Sequence, residues 1–535
     1  MKDGFRQSMA FLHTWSGLLL GWLLFAVFFT GTTAYFRQEI TEWMQPEVHM
    51  SQPGPKSAEL ALARLSDVAP GAEDWRVSLP NSRSNTISNS WNMPGEPPRK
   101  GGGHREQLDA GTGEVLNPRD TAGGGFLYRF HFELHGLPRQ WQRWPVGIAT
   151  MFMFIAIISG IITHKRIFRD FFTFRPGKGQ RSWLDAHNVT SVLSLPFHIM
   201  ITYSGLLLFM TTLMPFALEN GGRRGERPSG PRPAETEQVV GDISLASISP
   251  IIASVEAETG KRIGQISVLK PGSDTPVYEL RTVSDGRFEI TVGGGGRGGG
   301  DAIRFDARTG ERLSETGREL QRGVSPVRAV NNLFGSLHRA RFAETGLRWL
   351  FFLCGVGGTI MVGTGLSLWV SKRAIKNMKA GKAPLGHKFV EKMNIASING
   401  LAIATAAYFW GSRIIPAGLA NRPEWEINTF FIAWAVAGIY ALVRPTPRAW
   451  VDTSLMCGAM FAGLPFLNAA TSQANLIVAT FQGNWIIAGF DFVALLTGGA
   501  YGWMAWKLHR KQTQPAPVKR RPRRAAVTET EVPAE

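Results

Sequence analysis

The chain has 535 residues, of which 44% are apolar, and it carries a net charge of +17 at neutral pH. It is too long for one small domain, and its mean hydropathy near zero averages very apolar stretches with very polar ones. Lys and Arg cluster in short loops beside apolar stretches, which indicates a membrane protein and argues against nucleic-acid binding. The only two cysteines, Cys354 and Cys457, exclude a disulfide framework, a zinc site and iron–sulfur ligation within this chain.

Eight apolar stretches are long enough to span a membrane as helices. The first covers residues 1–36, and its apolar part is too long for a cleaved signal peptide. The next three stretches lie at 144–163, 189–214 and 347–370. The remaining four lie in a C-terminal extension, 395–508. Both termini are predicted in the cytoplasm, because the connecting loops and the tail on that side are basic, at 164–188, 371–394 and 509–535.

Two long segments, 37–143 and 215–346, then lie outside the membrane on the opposite side. Each opens with a helical pattern and continues with alternating stretches that are typical of strands. Each also contains a tight-turn signal, DAGTGEVL from Asp109 and DARTGERL from Asp306. We therefore predict a small α+β module in each segment, with flexible glycine-rich excursions near Pro97 and Gly293.

The stretch from Trp183 to Phe209 is predicted to form one membrane-spanning helix that carries His187 and His198. Eleven residues at about 100° and about 1.5 Å each place the two imidazoles on nearly one face, about 16 Å apart. A single helix would then offer a ligand at each of two depths, as a protein that holds haems inside a helical bundle requires. The alternative is that each histidine only forms a hydrogen bond with a neighbouring helix.

The chain up to about Val370 contains an internal repeat of helix, outside module and helix. His13 and His187 each begin a span that leads into a module, and His135 and His338 each lie nine residues before the start of the next span. A pseudo-twofold arrangement would pair His13 with His187 and His135 with His338. Two facing imidazoles are what six-coordinate b-type haem needs, so the four histidines are predicted axial ligands.

Two further histidines depart from the repeat. His164 opens a basic loop and is interpreted as a haem-propionate partner, a ligand or an ordinary inside-facing residue, and His198 as a ligand nearer mid-membrane. Asp491 is interpreted either as part of a quinone or proton site or as a buried carboxylate paired with a neighbour. Candidate partners for the propionates are the basic residues near these histidines, for which lipid-headgroup contact is the alternative: Arg139, Arg143, Arg339, Arg341, Lys165 and Arg166.

These motifs resemble those of the PepSY-associated transmembrane helix family, which includes iron-regulated inner-membrane proteins and siderophore reductases. The resemblance covers about residues 5 to 373 and rests on LHTWSGLLLG, the LHG and LHR elements, HKRIFRDFFTFRPGKGQRSWLDAHN, LPFH and the two D-x-x-T-G-E turns. It implies a four-helix core with two b haems, PepSY-like periplasmic modules and a location in the bacterial inner membrane. The histidines that it carries over are His13, His135, His164, His187, His198 and His338.

The resemblance and the repeat together predict an α-helical integral membrane protein of about eight spans that acts as a haem-dependent oxidoreductase. Electrons from membrane quinol or a cytoplasmic donor would cross the bundle and reduce a periplasmic ferric siderophore or another ferric chelate. Reduction would release the iron, because hard oxygen donors hold Fe(III) more tightly than Fe(II). The alternative is a non-enzymatic membrane protein whose PepSY-like modules bind a peptide, a protease or a metal chelate.

Overall fold

In the computed structural model, the described part of the chain forms a duplicated helical core, one β-sheet with two helices, and a C-terminal helical bundle. The structure describes residues 2–96, 103–138, 140–164, 171, 173–177, 179–213, 244–283, 302–313, 326–340, 342–381 and 383–513. Three predicted segments lie wholly or mostly outside this part of the chain. They are the glycine run at Gly293, the glycine-rich excursion near Pro97 and the basic tail.

The helices of the two halves follow the same order, except that α3 has no counterpart in the described part of the second half. In the first half they are α1 (Lys2–Leu19), α2 (Gly21–Ala34), α3 (Arg37–Met44), α4 (Ser57–Val68), α5 (Gly123–Phe130) and α6 (Trp144–Thr163). In the second half they are α7 (Gln180–Leu193), α8 (Leu195–Leu213), α9 (Ile248–Thr259), α10 (Pro326–Arg339) and α11 (Thr345–Lys379). Helix α1 packs on α6, and α7 packs on α11, so each half contributes one such pair.

The predicted single helix from Trp183 to Phe209 is wrong. Helices α7 and α8 meet at Ser194 with a bend of 69°, so His187 and His198 lie on different helices. Pro196 accounts for the break, since it lacks an N–H and its ring clashes with the carbonyl four residues earlier. The first half shows the same geometry: α1 and α2 are bent by 67° at Leu20, where the sequence has no proline.

The described part of the chain contains five helices long and apolar enough to cross a membrane, or up to seven if each bent pair is one span. The five are α6, α11 and three helices of the C-terminal bundle. These helices imply a lipid bilayer around the protein, and the count of eight spans stays a prediction. The predicted loop 371–394 is largely helical, because α11 continues to Lys379 and the next helix begins at Leu385.

The strands of the two predicted modules form one antiparallel sheet. The first module supplies β1 (Asp74–Ser78), β2 (Ile87–Asn92), β3 (His104–Leu108) and β4 (Val115–Leu116), and the second supplies β5 (Ile263–Leu269), β6 (Val277–Thr282) and β7 (Ile303–Asp306). The order is β4-β3-β2-β1-β5-β6-β7, so β1 and β5 join the halves at the centre. Alternate side chains of β1 and β5, among them Trp75, Val77, Ile266 and Val268, are buried against α4 and α9. The two modules therefore share one hydrophobic core.

Both predicted turn signals are confirmed as matching turns. Asp109 Oδ1 accepts hydrogen bonds from the N–H groups of Gly111 and Thr112, each at 2.9 Å. Asp306 Oδ1 accepts the equivalent bonds at 2.8 Å from Arg308 and 2.9 Å from Thr309. The glycine that follows has a positive φ in each turn, 77° at Gly113 and 75° at Gly310, which favours glycine.

The C-terminal bundle packs around one long helix. Its helices are α12 (Leu385–Ile414), α13 (Arg422–Val443), α14 (Thr446–Thr471), α15 (Leu476–Phe481) and α16 (Trp485–Thr513). Helix α12 packs on α13 and α14, and α14 packs on α16. The bundle also contacts the core, because α16 packs on α3, and Trp43 of α3 stacks on Phe490 with ring centres 4.2 Å apart.

Asp491 lies in this contact between bundle and core. The carboxylate is fully buried and accepts hydrogen bonds from Trp43 Nε1 and from Asn468 Nδ2, each at 2.9 Å. Arg413 donates to Asn468 Oδ1 at 3.0 Å and lies over the Trp43 ring at 4.3 Å. Asp491 is therefore a buried carboxylate with partners from both parts of the molecule.

Candidate functional site

Two pairs of histidine rings meet inside the duplicated core. His13 of α1 and His187 of α7 have ring centres 6.3 Å apart, and we name them the distal pair. His131, at the end of α5, and His338 of α10 have ring centres 6.0 Å apart, and we name them the sheet-side pair. Each pair takes one histidine from each half of the repeat, as a pseudo-twofold arrangement requires.

The predicted pairing of His135 with His338 is wrong. His135 instead stacks on Phe431 of the C-terminal bundle, with ring centres 5.3 Å apart, and contacts Phe126 edge-on. His131 lies four residues earlier and takes the position opposite His338. The nine-residue spacing misled the prediction because it was counted across a loop, whose length differs between the halves.

A different signal in the sequence could have found His131. Apolar residues occupy the positions one, four and five before each ring: Phe130, Leu127 and Phe126 before His131, and Leu337, Phe334 and Leu333 before His338. These positions lie on helices, where a fixed periodicity sets which side chains share a face. Matching the helices rather than the loops would have aligned the two histidines.

All four rings use Nδ1 for a hydrogen bond to a neighbouring helix. Nδ1–H donates to the carbonyl of Ala156 from His13 (2.8 Å), of Met361 from His187 (2.9 Å) and of Val27 from His131 (2.7 Å). His338 Nδ1 lies 2.9 Å from Ser204 Oγ, which accepts because its own proton goes to Met200 O. In a neutral imidazole this leaves Nε2 unprotonated, with the lone pair that binds metals.

A helical glycine makes room for each ring. A Cβ atom at Gly31 would lie 2.5 Å from His131 Nδ1, and one at Gly205 would lie 3.3 Å from His338 Cε1. At Gly160 and Gly365 the added atom would lie 3.1 Å and 3.2 Å from Cε1 of His13 and His187. Gly31, Gly160 and Gly365 each lie four residues after the residue whose carbonyl accepts the Nδ1 hydrogen bond. The same local arrangement of carbonyl and glycine therefore occurs three times.

Burial keeps the sheet-side rings neutral. It lowers the pKa of His131, and together with the nearby His131 it lowers the pKa of His338 to about 3. Neutral imidazole is the form that binds a metal, whereas the protonated ring has no free lone pair. The sheet-side pair is therefore in the state required of a ligand.

The ring spacing also fits two imidazoles on opposite sides of one metal ion. A metal–nitrogen bond is about 2.1 Å long, and the nitrogen lies about 1.2 Å from the ring centre, as C–N bonds of about 1.33 Å require. Two such rings on opposite sides of one ion have their centres about 6.6 Å apart. The observed 6.3 Å and 6.0 Å are close to this distance. No group of three or more His, Cys, Asp or Glu that could hold an ion occurs in the described part of the chain. The spacing of the rings in each pair therefore suits one metal ion held between two imidazoles.

Basic side chains surround the sheet-side pair. A cavity of about 400 Å³ contains both rings, and its wall includes Tyr128 and five arginines: Arg37, Arg83, Arg143, Arg339 and Arg348. Arg143 and Arg339 are among the predicted propionate partners, whereas Arg139, Arg341, Lys165 and Arg166 lie outside the described residues. Arg143 is ion-paired with Glu133, and Arg339 donates to Gly335 O of its own helix at 2.9 Å.

The other two sequence-predicted histidines belong to neither pair. His164 follows α6, and its Nε2 accepts a hydrogen bond of 3.2 Å from Asn188 of α7. His198 is 1% exposed and packs edge-on against Phe28, with ring centres 5.9 Å apart. Its Nε2 is buried without a hydrogen-bond partner in the described part of the chain, and a Cβ at Gly358 would lie 3.0 Å from it.

The part of the fold that carries both pairs matches a known family. The PepSY-associated TM region matches residues 10–372, from α1 into α11. The chain belongs to the PepSY-associated transmembrane family. The resemblance predicted from the motifs is thereby confirmed, and the bundle from α12 to α16 lies beyond the matched PepSY-associated region.

An uncharacterized protein of Pseudomonas aeruginosa is similar to this PepSY-associated chain. The two are 25% identical over 391 residues, which is 69% of this chain and 92% of the Pseudomonas protein. The similarity extends over most of that relative, whose own function is not given by its description.

Proposed function

We propose that this protein holds two b-type haems, one in each histidine pair, and moves electrons through its core to a ferric chelate. The observation that carries the proposal is the repetition of one arrangement at four places: a ring held through Nδ1, a glycine beside it and a second ring opposite it. A haem held by the two histidines of such a pair would supply one-electron redox chemistry.

The residues of the chain would position and shield this chemistry. The Nδ1 bonds fix ring orientation and tautomer, as outer-shell hydrogen bonds do for metal-binding histidines. The arginines near His131 and His338 offer charge partners for anionic groups. The single sheet, which adjoins this cavity through Arg83, is the proposed binding region for the chelate, a ferric siderophore or a similar compound.

The proposed location is the bacterial inner membrane, with both termini cytoplasmic and the sheet in the periplasm. The basic residues support this orientation, because Lys372, Arg373 and Lys376 lie at the end of α11 remote from the sheet. The electron donor in this proposal is membrane quinol or a cytoplasmic reductant.

Haem content and its dependence on single histidines test the proposal. The full chain, produced with ample haem, should show reduced low-spin b-haem bands at about two haems per chain. His131→Ala and His187→Ala should each lose about one haem, because each removes one histidine from a different pair. His135→Ala is the matched control and should keep both haems, since His135 stacks on Phe431 in the bundle.

Three outcomes would overturn this function. A colourless full-length protein would remove the redox proposal and favour a non-enzymatic module that binds a peptide, a protease or a chelate. Loss of haem from His135→Ala with retention in His131→Ala would remove the sheet-side assignment. A haem-loaded protein that, once reduced, passes no electrons to a ferric hydroxamate or catecholate, followed with an Fe(II)-trapping dye, would remove the substrate assignment.

A further inference from the structure

A large cavity lies between the duplicated core and the C-terminal bundle, beside their packed contact. Its volume is about 940 Å³, and α2, α3, α11, α12, α14 and α16 all contribute to its wall. Volumes of about 300–1,000 Å³ are typical of sites for small molecules and cofactors. None of the four paired histidines lines this cavity.

The wall of this cavity changes in character along its length. Near the sheet it includes Glu39, His49, Arg348 and Asn484, and farther into the membrane-spanning helices it includes Phe352 and other apolar side chains. On α11 the lining extends from residue 345 to residue 360, about 22 Å at about 1.5 Å per residue. The shape fits an elongated ligand with a polar head and an apolar tail.

The polar end offers hydrogen-bond partners to the head of a ligand. Glu39 Oε1 is 3.3 Å from Arg348 Nη1, and the same oxygen is 2.8 Å from Arg83 Nε. His49 is held by Ser472 Oγ at 2.7 Å and donates to Glu42 O at 2.9 Å. Burial, reinforced by the positive charge of Arg413, lowers the pKa of His49 to about 3. Arg348 and Asn484, which both line this end, can donate hydrogen bonds to the oxygen atoms of a head group.

The cavity adjoins the sheet-side pair. Thr32 and Arg348 line both this cavity and the one that contains His131 and His338. The wall between the two cavities is therefore one side chain thick at these positions. A redox-active head at the polar end would lie next to the sheet-side pair.

We propose that the 940 Å³ cavity binds an isoprenoid quinol, whose head lies between Glu39 and Asn484 and whose tail lies along α11 and α16. The inference rests on the proposed function, because a haem held by the sheet-side pair would be the first electron acceptor. Oxidation of one quinol to the quinone would break two O–H bonds and release two protons to water on the sheet side. The two electrons would pass one at a time to two ferric chelates, each of which would be reduced from Fe(III) to Fe(II).

Gly489 offers a direct test, because it lines the cavity and a Cβ added there meets no atom within 4 Å. Gly489→Leu should fill the quinol site without a clash. Gly499→Leu is the matched control, since Gly499 is on the same helix, is exposed, does not line the cavity and has equal open space. Val493→Phe, at another lining position, is a second filling variant.

Binding should be measured in lipid nanodiscs with a decyl-substituted benzoquinone, by the ligand-induced rise in melting temperature. We expect the wild type and Gly499→Leu to bind alike and Gly489→Leu to bind at least tenfold more weakly. All three should contain equal haem and be reduced by dithionite. The reduced quinone should reduce the haem in the wild type and in Gly499→Leu, and at least tenfold more slowly in Gly489→Leu.

The outcomes separate this inference from the proposed function. Haem-loaded protein whose quinone binding is absent, or unaffected by both filling variants, overturns the quinol site and leaves the haem proposal standing. Quinone binding that is lost in Gly489→Leu, in a protein that takes up no haem, keeps the site and overturns its electron-transfer role. Native mass spectrometry that finds phospholipid retained by the wild type, lost in Gly489→Leu and undisplaced by quinone overturns the choice of ligand.

Discussion

At the scale of single residues, the four glycines beside the histidine rings are as informative as the histidines themselves. From sequence they read as small residues that allow close helix packing, which is the common role of glycine in membrane helices. The structure shows that Gly31, Gly160, Gly205 and Gly365 make room for the rings. This could not be predicted from sequence, because which glycine faces which histidine depends on how the helices cross.

Sequence reasoning identified most of the candidate site. It singled out His13, His187 and His338 and predicted the His13–His187 pair that the structure brings together. It missed His131, and it could not foresee Arg37, Arg83 and Arg348 beside the sheet-side pair, since these come from three distant parts of the chain. Ligation by these histidines stays a prediction.

Glu42 should make stability depend on pH. Burial raises the pKa of its carboxyl from the ordinary 4.5 to about 7, although hydrogen bonds to Ser84 and Asn85 oppose the shift. Because the folded chain then binds the proton more tightly than the unfolded chain, the free energy of unfolding falls as the pH rises from about 4.5 to about 7. Glu42→Gln should therefore stabilise the protein by about 1–3 kcal/mol at pH 8 and change it little at pH 5.

Thermal unfolding of the wild type and Glu42→Gln across pH 5 to 8 measures this effect. Glu424→Gln is the matched control, because Glu424 is exposed on α13. Equal pH dependence in the wild type and in Glu42→Gln would show that Glu42 carries no buried charge at pH 8.

At the scale of elements, local patterns predicted the helices and turns, and only tertiary contacts determined how they combine. The helices of both modules and both Asp-Gly turns follow from periodicity and turn chemistry, which act over a few residues. The joining of β1 to β5 depends on residues far apart in the chain, and each module alone read as complete. The bend at Ser194 had a local signal in Pro196, whereas the bend at Leu20 has none that we recognise.

A disulfide across β1 and β5 should form if the two halves share one sheet. Arg76 lies opposite Ser267. Hydrogen-bonded and non-hydrogen-bonded pairs alternate along an antiparallel ladder. The hydrogen-bonded pairs Leu79–Gly264 and Glu73–Lys270 each lie three positions away, so Arg76 and Ser267 form a non-hydrogen-bonded pair. Such pairs have Cα atoms about 4.5 Å apart, within the range of disulfides. Arg76→Cys with Ser267→Cys should cross-link the two halves after cleavage at a protease site inserted within residues 214–243.

Ser90→Cys with Ser267→Cys is the control for this cross-link. Both residues lie opposite Arg76, one on each side of β1, so they are two strand spacings or about 9.6 Å apart. This pair should not cross-link. A separate sheet in each half would leave the fragments unlinked in the Arg76–Ser267 variant as well.

At the scale of the whole molecule, the C-terminal bundle is part of the same packed structure as the duplicated core. Trp43 is fully buried between α3, α12 and α16, and Asp491 is its hydrogen-bond partner. Glu426 of α13 accepts hydrogen bonds from Thr121 and Ala122 at the start of α5, whose end carries His131. The bundle thus supports the segment that positions one of the sheet-side rings.

The proposed orientation in the membrane predicts opposite labelling of two cysteine variants. Glu114→Cys, exposed at the end of the first module, should react with a membrane-impermeant maleimide in intact spheroplasts. Lys376→Cys, exposed near the far end of α11, should react only after permeabilisation. The native cysteines provide little background, because Cys457 is buried and Cys354 lies within α11. Labelling of both variants in intact cells would contradict the predicted topology.

The shared sheet also has a consequence for synthesis. Strand β1 ends at Ser78 and its partner β5 ends at Leu269, about 190 residues later, so translation at about 5–20 residues per second delays the pairing by about 10–40 s. During that interval β1 has an unpaired edge that can bind other extended chains. We therefore expect a chaperone or the insertion machinery to protect the nascent first half until the second half emerges.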